Sequence, residues 1–130
     1  MKCVSVPQPW AWAILAGLQK SEYRCYPTDH RGDLLILASR GAGDWERRQL
    51  SAFGERAPRW EDLKFGQVLG VVELCGCEPG RDGVWVWSLR NPRLVKPFSF
   101  RSGKKVFEVD DSQVEVLDGP RRNGGKSRKK

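Results

Sequence analysis

Apolar and polar residues alternate along this chain in short blocks, and the blocks predict small elements. Residues 2–6 (Lys2, Cys3, Val4, Ser5, Val6) form a strand-length run before Pro7. Residues 10–17 are apolar on every side (Trp10, Ala11, Trp12, Ala13, Ile14, Leu15, Ala16), the signature of a buried helix. Pro9 suits its first turn and Gly17 its end. Residues 21–26 read as a strand stopped by Pro27, residues 29–33 as a turn, and residues 34–38 as a continuously apolar strand. Gly41-Ala42-Gly43 breaks the chain. Asp44 is then placed to cap a charged helix over residues 45–54, and residues 56–64 read as irregular. A long strand follows over residues 67–77, with Gly70 at a bulge or bend. Residues 78–83 read as a turn and 84–87 as a short strand. Asn91-Pro92 and Lys96-Pro97 punctuate an extended stretch, and residues 105–109 and 114–117 form the last strands. Many short strands with two early helices point to an α+β fold, a small β-barrel with flanking helices.

Composition narrows the picture. One domain is expected from 130 residues, enough to bury a core without staples. No apolar run is long enough to span a membrane, and residues 1–7 lack the apolar core of a signal peptide, so a cytoplasmic protein is expected. Four scattered cysteines (Cys3, Cys25, Cys75, Cys77) do not make a disulfide framework. The net charge is +7. Residues 119–130 hold six basic residues and no acid, which leaves +1 for residues 1–118. The division is therefore a folded domain over 1–118 and a disordered basic tail over 119–130. Such a tail attracts polyanions without reading sequence. A site in the body must show itself by local clustering.

Glu22 and Arg24, two apart on an expected strand, share one face. Arg31, opening the next strand, can come alongside. A carboxylate held between guanidiniums can grip a base edge or a phosphate, or can simply close the mouth of the barrel. The sequence leaves both open. Trp10 beside Gln8, with Tyr23 and Tyr26, offers flat surfaces on which a base can stack, worth roughly 1–3 kcal/mol per base. Trp12 belongs to the core by position, and Trp85 and Trp87, on one strand face, suit filling or covering the barrel. Catalytic chemistry is thinly represented. His30 lies in a turn, and Ser5 and Ser39 lack an activating partner. Lys20 needs burial to act as a base, and Glu73 is the remaining acid–base candidate. Cys75 and Cys77, with one residue between them, fall short of zinc-ligand spacing. Asp29, Asp33, Asp44 and Glu46 read as caps and turn residues, so no metal or other cofactor is expected. Arg31-Gly32-Asp33 also matches an adhesion tripeptide, read here as coincidence. Basic residues at Arg47, Arg48, Arg56 and Arg59, and at Lys96, Arg101, Lys104 and Lys105, make a basic face only if the fold separates them from the intervening acids.

In order along the chain these pieces resemble the ASCH (activating signal cointegrator homology) domain, within the PUA-like superfamily. The similar elements are Gln8-Pro9-Trp10-Ala11, the run from Gly17 to Arg24, Arg31-Gly32 with the strand ending Ala38-Ser39, Gly70-Val71-Val72-Glu73-Leu74, Trp85-x-Trp87, Asn91-Pro92-Arg93, Lys96-Pro97 and Phe107-Glu108-Val109. The resemblance covers roughly residues 1–110. It implies a β-barrel with a cleft between the first helix and the barrel. It also implies binding of RNA, single-stranded above all, of other nucleic acid or of a modified nucleotide, with protein partners in a larger assembly. Gln8, Trp10, Glu22, Tyr23, Arg24, Arg31 and Ser39 are the expected lining. One branch of the family hydrolyses acetylated cytidine, so the alternative is a hydrolase, an amidohydrolase or a ribonuclease, working in the same cleft with Lys20 and Glu73. Against it, that branch's lysine position is Gln19 here, with Lys20 displaced by one, and its threonine position is Glu22. The following asparagine is Tyr23, and Tyr26 stands where tryptophan is common.

Overall fold

A computed structural model describes residues 1–117. Its strands are β1 (Lys2–Val6), β2 (Ser21–Arg24), β3 (Gly32–Ala38), β4 (Gln67–Pro79), β5 (Trp85–Ser99) and β6 (Val106–Glu108), with helices α1 (Trp10–Leu15) and α2 (Asp44–Gln49). The six strands make one sheet in the order β2-β5-β4-β3-β1-β6. The fold is α+β, a sheet curled into a half-barrel with short helices. Strands β2 and β6 are its two edges. The expected basic tail over 119–130 lies outside the described residues. No described helix is long and apolar enough to cross a membrane.

The continuous apolar run of β3 is explained by burial on both faces. Leu34, Ile36 and Ala38 face an inner core with Val4, Val6, Ile14, Val72, Leu74 and Trp87. Leu35 and Leu37 face a second core with Cys3, Val68, Val71, Val95 and Val109. Phe98, Phe100 and Phe107 pack against that second core. Helix α1 is short but sealed at its C-terminus. Gly17, at φ +79, donates to the Ile14 carbonyl (3.1 Å), and Leu18 donates to that of Ala13 (2.9 Å). These are the two bonds of a glycine-terminated helix.

Gly70 is where α1 meets the sheet. A Cβ there would run into Leu15 and lie 2.7 Å from the Arg93 carbonyl oxygen. The register of β4 on β5 also shifts beside it, between Val68 and Gly70. The expected bend and a close helix contact thus coincide. Further along, β5 is longer than its prolines imply, and it is one strand rather than several. Val71 pairs with Arg93 and Glu73 with Arg90, so one β4 residue faces both Asn91 and Pro92. Pro92 therefore sits in a bulge, and Pro97 lies in a second one between Leu94 and Phe98. A proline there breaks no ladder hydrogen bond. Asn91 turns the bulge with φ +56.

Two expectations are corrected. The second helix spans Asp44–Gln49 with Gly43 as its N-cap, and continues as 3₁₀ turns over Leu50–Arg56. Glu46 Oε1 accepts from the Gly43 N–H (2.8 Å), a bond that Asp44 cannot supply from inside the helix. Residues 114–117 make one bridge, Val116 to Val95, in place of a strand. Trp85 and Trp87 take the places expected of them: Trp87 is fully buried in the inner core, its indole N–H donating to the Tyr26 carbonyl (3.2 Å), and Trp85 packs partly buried against that core.

Candidate nucleic-acid interface

A cleft of about 640 Å³ opens between α1, α2 and the free edge of β2. Trp10 and Trp45 form one wall, their ring centroids 5.5 Å apart with planes tilted by 40°. Glu22, Arg24 and Tyr26 form the polar floor, and Val6, Pro7, Gln19, Tyr23 and Cys25 complete the lining. The sequence places these groups by simple means. Glu22 and Arg24 alternate inward on β2, opposite Trp87 and Trp85 of β5. Tyr23, between them, is 60% exposed at the rim. Trp10 opens α1, and Trp45 is the single large apolar residue of the charged α2.

Arg24 organises the floor. Its Nη1 donates to Glu22 Oε2 (2.9 Å) and to the Ser5 carbonyl of β1 (3.0 Å). Its Nε and Nη2 both donate to the Tyr26 hydroxyl (3.2 and 3.0 Å). One side chain thereby ties β2 to β1 across the seam of the half-barrel. The Glu22 and Arg24 side chains are only 10% and 18% exposed. Burial pushes the Glu22 carboxyl above its ordinary pKa, and the Arg24 hydrogen bond and charge offset part of that. Burial alone would lower Arg24, but its bonds to Glu22 and Tyr26 outweigh it and raise the guanidinium. The carboxylate is thus held in the cleft at a cost in desolvation. Arg24 is the only described side chain that donates to it, and the Tyr23 backbone adds a smaller stabilisation of the carboxylate.

The expected site residues divide. Trp10, Glu22, Tyr23 and Arg24 come together in the cleft. Gln8 does not. It is buried beneath α1, where Oε1 accepts from the Trp12 N–H (2.9 Å) and Nε2 donates to the Lys64 carbonyl (3.0 Å). There it holds the helix and lines a separate apolar groove of about 280 Å³ with Trp12, Leu69 and Leu94. Arg31 is turned away, its Nη1 donating to the carbonyls of Thr28 and His30 (3.0 and 2.8 Å). Ser39 is not part of the lining, and its hydroxyl lies 2.8 Å from that of Ser5. Lys20 is exposed and lines a small pocket with Arg90 and Asn91, whereas Gln19 reaches the cleft. The displaced register of the lysine is thus visible in space. Glu73 is not at the cleft either. It accepts from Arg90 Nη2 (2.7 Å) on the outside of the sheet, and that bond holds its carboxyl below the usual range. The meeting of Lys20 and Glu73 inside the cleft, which the hydrolase alternative needs, is absent: neither residue lines it. No three described His, Cys, Asp or Glu residues are grouped to hold a metal.

Trp45 is the lining residue that sequence reasoning missed. Its signal was present, a lone tryptophan 56% exposed on a helix that buries none of its residues. Lys105 is not among the lining residues but lies beside one of them, its Nζ 5.1 Å from the centroid of the Tyr26 ring.

Comparison with known proteins agrees with this architecture. The ASCH domain family matches residues 4–83. Activating signal cointegrator 1 of Homo sapiens is 30% identical over 129 aligned residues, covering 83% of this chain and 22% of that protein. Its Mus musculus counterpart is 29% identical with the same coverage. The chain thus spans 22% of the length of these relatives. Among solved structures, ASCH from Zymomonas mobilis superposes with a TM-score of 0.57 at 12% identity, covering 86% of this chain and 89% of that one. A serine-to-alanine mutant of the same Zymomonas mobilis protein gives 0.59 at 14% identity, covering 88% and 96%. At such identities the likeness is one of fold. With the family match spanning most of the described chain, the protein belongs to the ASCH domain family.

Proposed function

We propose that this ASCH domain, a PUA-like fold of a kind associated with RNA binding, binds single-stranded RNA or a modified nucleotide in the cleft between α1 and the sheet. The observation that carries the reading is Glu22, a carboxylate buried at a desolvation cost in a cleft that Trp10 and Trp45 also line. A base stacks against Trp10 or Trp45, its exocyclic amino group donates to Glu22, and Tyr23 covers it from the rim. Arg24 fixes the position of Glu22 and supplies the compensating charge. The basic tail adds sequence-independent attraction. The hydrolase alternative draws no support from the geometry, because neither Lys20 nor Glu73 lines the cleft.

The test is a titration of the full chain with short single-stranded RNA, read by tryptophan emission, alongside Trp10→Ala and Glu22→Gln. Trp10→Ala removes a stacking face worth roughly 1–3 kcal/mol, so affinity drops about tenfold. Glu22→Gln keeps an amide oxygen able to accept from Arg24 but removes the carboxylate, so affinity falls, and urea unfolding at pH 7 checks that the variant is folded under the titration conditions. Binding that neither substitution weakens refutes the cleft as the site.

A further inference from the structure

The loop that joins β5 to β6 carries Arg101, Lys104 and Lys105 and no acid. None of the three has an ion-pair partner among the described residues, unlike Lys2, Arg47, Arg59, Arg90 and Arg93. The fold brings this loop to the cleft at the seam between the two sheet edges. Lys105 immediately precedes β6, and Tyr26 lies just past β2. The Lys105 ammonium sits over the Tyr26 ring, which Arg24 also approaches, its Cζ 5.5 Å from the centroid.

The loop is built rather than slack. A Cβ on Gly103 would fall 2.7 Å from Phe107 Cβ, so the chain is drawn down onto that ring. Phe107 stacks on Phe100 with centroids 6.0 Å apart and planes 9° from parallel. Lys105 itself has φ +51, a left-handed conformation that a residue with a side chain adopts only when its surroundings impose it. With that backbone the ammonium lies beside Tyr26, which lines the cleft. Inside the cleft, Arg24 is already neutralised by Glu22. The unmatched positive charge at the site is therefore that of the loop.

We propose that the loop spanning residues 101–105 is the phosphate-holding rim of the cleft, with Lys105 its principal contact. The ligand is then a nucleotide unit bearing phosphate, and not a bare nucleoside. The inference rests on the cleft reading above and adds a ligand class to it. A phosphate beside Lys105 gains from an ammonium that acts as a point charge. Its base reaches past Tyr26 to Glu22 and the tryptophans.

The experiment uses the full chain and tryptophan emission, with the four ribonucleosides, their 5′-monophosphates and a single-stranded RNA decamer as probes. The variant is Lys105→Asn, because asparagine tolerates the left-handed backbone and carries no charge. Wild type is expected to prefer a monophosphate over its nucleoside. Lys105→Asn should cut that preference roughly two- to fivefold, the range for one partly exposed charge pair, and leave nucleoside affinity unchanged. Tighter binding of the decamer than of any monophosphate assigns the phosphate to a strand, and equal binding assigns it to a free nucleotide. A phosphate preference that survives Lys105→Asn belongs to the tail or to another cation and overturns the assignment. Nucleosides that bind without any phosphate preference also overturn it, while the cleft reading stands. Failure of every probe, the decamer included, sinks the cleft reading and this inference with it.

Discussion

Replacing Arg24 by methionine tests whether the floor of the cleft is the coupled, buried unit that its geometry describes. The substitution keeps an unbranched side chain but removes every donor. Glu22 loses its cation, the Ser5 carbonyl loses the bond that spans the seam, and the Tyr26 hydroxyl loses two donors. Removing one partner of a buried ion pair costs about 3–5 kcal/mol. Arg24 is 18% exposed and faces an open cleft, so the lower end, about 3 kcal/mol, is expected at pH 7. The cost should depend on pH with a definite sign. Burial already raises the Glu22 pKa, and without Arg24 only the smaller contribution of the Tyr23 backbone opposes it. A carboxyl with a raised folded-state pKa contributes stability that is present below its unfolded value and lost as pH rises through the folded value. The deficit of Arg24→Met is therefore largest at neutral pH, shrinks as pH falls through the raised folded-state value of Glu22, and is smallest once pH is below the ordinary glutamate range. Adding Glu22→Gln should recover much of the loss at pH 7, leaving the bonds to Ser5 and Tyr26 as the remainder. Urea unfolding of wild type, both single variants and the double variant at about pH 7 and pH 4.5 closes the cycle. A deficit that is equal at both pH values, and untouched by Glu22→Gln, refutes the coupling.

Two further outcomes follow from the packing. Cys3 is completely buried and burial pushes its thiol up to about 12, whereas Cys25 and Cys75 are exposed. An aromatic disulfide reagent at mildly alkaline pH should thus label Cys25 and Cys75 in the native protein and Cys3 only after denaturation, as mass spectrometry of the labelled peptides will show. Gly70→Ala forces a Cβ against Leu15 and the Arg93 carbonyl, which costs about 1–3 kcal/mol of overpacking. A thermal midpoint equal to that of wild type would mean that α1 does not bear on β4 at this point.

Much of the fold is legible where a segment's environment is uniform along its length. Residues 34–38 are apolar without a break because β3 is covered on both faces, and a continuous run is what such a strand requires. The end of α1 is legible because only a glycine adopts φ +79 there without strain. Legibility fails where tertiary context overrides a local rule. Pro92 and Pro97 argue against a single strand, but bulges absorb both of them, and bulges depend on which strand lies opposite. Residues 45–54 have helical composition, yet α2 stops at Gln49 because it buries none of its own residues and gains little by continuing.

The candidate site shows the same division. Glu22 and Arg24 share a face by period alone, so their pairing is readable from the chain itself. Arg31 opens a different strand, and the two carbonyls of its own turn capture it instead. Gln8 is the instructive case. A polar side chain next to a tryptophan resembles a ligand contact, but once buried beneath a helix it must satisfy its own amide, and the Trp12 N–H and Lys64 carbonyl do so. The opposite error explains Trp45 and Lys105. Trp45 reaches the cleft, and Lys105 the Tyr26 ring at its edge, from elements distant in sequence, and only the lone tryptophan of a charged helix left a trace in the sequence. What joins them to Glu22 is the incomplete closure of the sheet. A closed barrel would pair β2 with β6 and fill the seam with backbone hydrogen bonds. Here Arg24 spans the gap to β1 and Lys105 meets Tyr26 across it. The seam thus concentrates buried charge, aromatic faces and free cations in one place, and a ligand-binding role for this domain is best sought there.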